Sequence, residues 1–153
     1  MRKVAIIAAI ASAPLLFAVT TAGAQQSGSA AEAKAMLEKA VAAVKADEKA
    51  ALEQFKKGEG GFKDRDLYVF CFDATSGKFT AHPNAKLVGT ADVRELKDKS
   101  GAVFGDKIFA AGQAEQITTV DYMFPKPGGT EPVPKQAFVT KVKDQGCGVG
   151  YYK

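Results

Sequence analysis

The sequence predicts an α+β domain: one antiparallel sheet of five strands, a long N-terminal helix on one face and short helices covering the other. Three observations carry this reading. A capped helical pattern occupies residues 29–57, two strand-like runs follow at 67–72 and 78–82, and three more come at 116–124, 136–142 and 146–152. Between the second and third runs, residues 83–112 are polar and broken by Pro83, Gly89 and Gly101, leaving room only for turns and small helices.

The first 24 residues read as an address. Arg2 and Lys3 precede an apolar run from Val4 to Val19, and Ala22-Gly23-Ala24 supplies the small-x-small pattern that signal peptidase accepts. The run is short for a membrane span of about 20 residues, and Pro14 interrupts it. Cleavage after Ala24 is therefore expected, leaving residues 25–153 as a single periplasmic or secreted domain that is not an integral membrane protein. Losing Arg2 and Lys3 takes the formal charge from +4 to +2. With Lys and Glu alternating along the helical segment, the mature chain lacks the concentrated basic face that nucleic-acid binding requires.

Ser29, with Glu32 three residues on, forms a capping box. Leu37, Val41, Val44, Ala51, Leu52 and Phe55 follow at helical spacing until Gly58 stops the pattern. One uninterrupted helix of roughly 42 Å is expected at about 1.5 Å per residue. Its N-terminal half is alanine-rich with a thin apolar stripe, and is expected to protrude or to meet a partner.

After a glycine-rich connector, residues 67–72 are almost continuously apolar, rich in aromatic and β-branched types, as suits a central strand covered on both faces. Thr75-Ser76-Gly77 supplies the turn into the short strand 78–82. In the cover, a helical turn is predicted around 92–97. Phe104, Ile108 and Ala111 then predict a small helix ending at Gly112. Residues 116–124 and 136–142 alternate as strands, joined by a loop from Pro125 to Pro134, and 146–152 make the last strand.

Cys71 and Cys147 are the only cysteines, so in an oxidising compartment one disulfide is expected. Neither lies in a C-x-x-C setting, and with His82 as the single histidine no metal site or cofactor is expected. There is no G-x-S-x-G, H-E-x-x-H or phosphate loop, which argues against an enzyme.

An ordered set of short motifs gives a more specific reading: Tyr68 to Asp73, Gly77, Ala81-His82-Pro83, Leu87-Val88-Gly89, Leu96-Lys97-Asp98 with Gly101, Val120-Asp121-Tyr122, Pro134-Lys135, Phe138-Val139 and Gly148-Val149-Gly150-Tyr151. Together they resemble the single Cache domain, an extracytoplasmic small-molecule sensor module, from about Ser29 to the C-terminus. The chain departs from that pattern in having no tryptophan, so its pocket differs in shape.

The resemblance implies a PAS-like sheet whose first and last strands are central neighbours, placing Cys71 and Cys147 on adjacent strands. It also implies a cavity between sheet and cover for a small organic acid or similar metabolite. Charge or N–H donors for such an anion would come from His82, Arg94, Lys97 and Lys135, and hydroxyls from Tyr68 and Tyr122. Each has a plainer role. His82 would cap a strand end on a backbone carbonyl, Arg94 and Lys97 would be solvated, and Lys135 would guard a sheet edge and pair with Asp121. With no output segment before Lys153, the sensor reading calls for a membrane receptor or kinase as partner. The competing reading is a structural or protein-interaction domain whose pocket side chains have filled.

Overall fold

A computed structural model describes residues 27–153; the expected signal segment, residues 1–24, lies outside them. Helix α1 (Ala30–Ala46) starts from the predicted capping box: Ser29 Oγ accepts from the Glu32 amide at 3.3 Å, and Glu32 Oε2 accepts from the Ser29 amide at 2.7 Å. The single long helix is corrected here. At Asp47 the backbone turns extended, and α2 (Glu48–Lys57) begins afresh with Asp47 Oδ1 accepting from the Ala50 amide at 3.0 Å. Periodicity alone misses this break, because Val44 and Ala51 are seven residues apart and stay on one face across it. Asp47→Ala removes the second cap and is expected to lower stability by about 1 kcal/mol in urea unfolding. The N-terminal half does not protrude either. Ala33, Leu37, Ala40 and Val44 are fully buried, their small side chains letting α1 lie close on the sheet.

The strands are β1 (Lys63–Asp64), β2 (Leu67–Asp73), β3 (Phe79–Ala81), β4 (Thr118–Pro125), β5 (Pro132–Val142) and β6 (Gln145–Tyr152). They pair antiparallel in the order β1-β2-β6-β5-β4, with β3 on β2. The sheet thus has six strands rather than five, the addition being the two-residue β1. The hairpin strands run further than predicted, through Pro125 and Pro132. Pro132 and Pro134 lie beyond the last β6 partner, Tyr152 opposite Lys135, so neither deprives that neighbour of a ladder hydrogen bond.

Alternation sorts β2 cleanly between two cores. Leu67, Val69 and Cys71 face the helices, where they join Leu37, Val44, Phe55, Cys147 and Val149. Phe70 and Phe72 face the other way, toward Phe79, Val93, Phe104 and Ile108. The cover consists of loops, a 3-10 turn (Val93–Glu95) and helix α3 (Gly105–Ala111). Backbone bonds sew it to the short strand: Phe79 donates to Ala91 and Gly89 donates back to Phe79.

Cys71 and Cys147 are directly opposed on β2 and β6, with Cα atoms 4.1 Å apart, and are joined by a disulfide. Both are fully buried under the helices. The bond locks the central strand pair on the face away from the cover.

Candidate functional site

The last strand leaves its cover face to the side chains of its neighbours. Gly146, Gly148 and Gly150 alternate along β6 on the cover side, so the middle of the sheet has no side chains there. A Cβ at Gly146 would meet the Phe72 ring at 2.3 Å, and one at Gly148 the Phe70 ring at 2.5 Å. At Gly150 it would sit 2.9 Å from both Lys135 Cε and Tyr122 Oη. Glycine at every second strand position thus lets neighbouring strands fold their large side chains inward.

A cavity of about 250 Å³ is open at one side and lies between the sheet and the cover. Four of the six sequence-predicted residues line it: Tyr68, His82, Tyr122 and Lys135. Their strands bring them together. Tyr122 on β4 pairs with Lys135 on β5, which pairs with Tyr152 on β6. Phe70, Phe79, Phe104 and Phe124 complete much of the wall, with Leu87, Leu96 and Ile108 from the cover.

Lys135 is the chemical centre. It is 2 % exposed, not an edge lysine, because β5 lies between β4 and β6. Its Nζ sits 4.4 Å from the Tyr152 ring centroid and 5.3 Å from those of Tyr68 and Phe124. Its one hydrogen bond is long, 3.5 Å to Tyr152 Oη, whose own proton goes to the Pro125 carbonyl at 2.7 Å. Ring faces offset part of the cost of burying the ammonium, but no carboxylate of the described residues is in ion-pair contact with it. Burial therefore pulls its pKa down to about 8, against a partial opposing pull from Asp66. The expected pairing with Asp121 is corrected: Asp121 points to the opposite face, 2.6 Å from Lys153 Nζ and 2.8 Å from Gln136 Nε2.

His82 follows β3 and wedges edge-on against Tyr68 and Phe79, with centroids 5.2 and 5.4 Å away. Its cap is the reverse of the expected one. Nδ1 accepts from the Asn84 amide at 2.9 Å, so the neutral ring carries its proton on Nε2. Burial, and then the Lys135 charge, depress its pKa to about 4. Tyr122 stacks on Phe104 at 4.5 Å; burial lifts its phenol pKa well above the ordinary value and raises that of Tyr68 as well. The hollow thus presents an ammonium, an imidazole N–H and two phenol hydroxyls, all able to donate.

Arg94 is not brought into the hollow. Its guanidinium is held by Asp92, with Nε 2.9 Å from Oδ1, and also donates to the Ser76 carbonyl at 2.7 Å. It lies over the outer Phe109 ring, 4.9 Å from the centroid. Lys97 is likewise outside the lining. Sequence reasoning missed Tyr152, which orients Lys135, and Gly150, which makes room for it; the period-two glycines of β6 were the available signal.

Fold and site together define a PAS-like α+β domain with a hollow between sheet and cover. Residues 15–152 match the family Single Cache domain 2, and the chain belongs to that family. Its fold is also that of a periplasmic sensor domain of a chemotaxis protein (29% identity, TM-score 0.57, 78% of this chain and 86% of that one). A Cache chemosensory domain studied for carboxylic acid recognition is similar too (27%, 0.56, 78% and 84%). A methyl-accepting chemotaxis protein of Vibrio parahaemolyticus shares the fold at 24% identity (TM-score 0.61, 80% and 86%). Among curated proteins, the methyl-accepting chemotaxis protein McpP of Pseudomonas putida is 28% identical over 87 residues, 57% of this chain. That match spans only 16% of the relative's length.

Proposed function

We propose that this domain is a periplasmic sensor that binds a small organic acid in the hollow and acts through a membrane receptor or kinase, without catalysing a reaction. The observation that carries the reading is Lys135: a buried cation beside an open cavity, with donors around it and no anion in contact. A bound carboxylate would supply that anion, and His82, Tyr68 and Tyr122 the flanking hydrogen bonds. The likeness to a domain studied for carboxylic acid recognition points the same way. The filled-pocket alternative expects side chains to occupy this space, yet about 250 Å³ stays open.

A thermal-shift screen of carboxylates, amino acids and amines on the mature protein tests the proposal. A carboxylate at 100 times its Kd is expected to add about 2.7 kcal/mol of stability, raising the melting temperature by several degrees. No shift from any carboxylate, on a folded sample, would sink it.

A further inference from the structure

The charge inventory of the hollow is lopsided. Among the described residues that line it only Lys135 is charged; His82 is neutral with Nδ1 occupied, and none of the described Asp or Glu residues reaches the wall. The two other cations first in view, Arg94 and Lys97, lie outside. A second carboxylate on a ligand, or an ammonium beside the first, would be buried here without a counter-ion, which is costly. The site is built for a single negative charge.

The rest of the space is apolar. The donors gather around Lys135, while Phe70, Phe79, Leu87, Leu96, Phe104 and Ile108 form the remaining wall. A dry cavity of about 150 Å³ lined by aliphatic and aromatic groups already accommodates benzene. Here about 250 Å³ is open, so a two- or three-carbon acid held at Lys135 would leave much of the apolar wall uncovered. Resting on the carboxylate reading above, we infer that the ligand is a bulky apolar monocarboxylate, aromatic or branched, whose carboxylate meets Lys135 and whose hydrocarbon part fills the space under Leu87 and Leu96.

Isothermal titration of the mature protein with acetate, propionate, benzoate, phenylacetate and succinate tests this. Each methylene-sized group buried strengthens binding about fourfold. Benzoate or phenylacetate should therefore bind at least about 30-fold more tightly than acetate, with succinate weaker than either. Acetate or propionate binding as tightly as benzoate would overturn the inference while leaving the carboxylate site standing. Succinate as the tightest ligand would overturn it equally. No binding by any acid would remove both.

Leu96→Phe locates the hydrocarbon end. It should cost benzoate and phenylacetate at least about tenfold more than it costs acetate, since the added ring takes space chiefly from the larger ligands. Equal loss across the series, or none, would contradict the placement. Leu87→Phe, from the neighbouring part of the cover, gives the same readout if Leu96→Phe lowers the melting temperature.

Discussion

Replacing Lys135 by Met is expected to abolish carboxylate binding, raising Kd at least 100-fold, while the unliganded protein melts at the same temperature or higher. The two effects have opposite signs for one reason. Lys135 is 2 % exposed, pressed among three rings and without an ion-pair partner, so folding desolvates it at a cost that a methionine of similar length avoids. A bound anion recovers that cost. Removing one member of a buried, hydrogen-bonded charge pair loses about 2–5 kcal/mol of binding. Arg94→Ala serves as the control and should leave Kd unchanged, because its guanidinium is already held by Asp92 outside the hollow.

The pH dependence follows from the same group. In the free protein the Lys135 proton is held with a pKa of about 8, so the anchor is charged below that pH and lost as pH rises through it. Carboxylates stay ionised over the whole range. Affinity should be level between pH 6 and 7 and fall about tenfold per unit above 8. His82, depressed to about 4, is neutral throughout and adds no slope there. Flat binding from pH 7 to 10 would remove the ammonium from the mechanism.

The disulfide carries the second large effect. Cys71 and Cys147 cross-link partners 76 residues apart, so the bond removes much of the freedom of the unfolded chain, worth about 4 kcal/mol if the effect is purely entropic. The Cys71→Ala/Cys147→Ala double variant is expected to lose about 2–5 kcal/mol, lowering the melting temperature by roughly 10 °C. The sulfurs lie on the helix face and Lys135 on the other, so carboxylate Kd in the variant, measured below its melting point, should change less than about threefold. A change below 1 kcal/mol in urea unfolding would mean that the bond constrains little.

Local signals carried much of the fold. The capping box at Ser29, the glycine stop at Gly58 and the continuous apolar run of β2, covered on both faces, depend on residues close in sequence, and each is found as read. The break at Asp47 escaped because a capping aspartate also fits within a helical pattern, and the apolar spacing does not change across it. For Arg94 the plainer of its two readings, a cation outside the hollow, fits the structure, and Asp92, two residues away, was the available sign that its charge is already taken.

Lys135 was recognised as a candidate, but its setting was not. A lysine after proline at a strand start looks like an edge residue, and only the meeting of β2, β4 and β6 surrounds it with Tyr68, Phe124 and Tyr152. Those contacts join residues scattered from 68 to 152. Nothing within a few residues of Pro134 encodes them. The room for Lys135 and Tyr122 is encoded more simply, by the side chain that β6 leaves out at position 150.

A crystal structure of residues 25–153 grown with a carboxylate that binds them, benzoate first, would show where the charge is held. The ligand's oxygens should lie about 2.7–2.9 Å from Lys135 Nζ, with the ring beneath the cover. A carboxylate seated on the outer surface at Arg94, or one inside the hollow with its charge turned away from Lys135, would contradict the account.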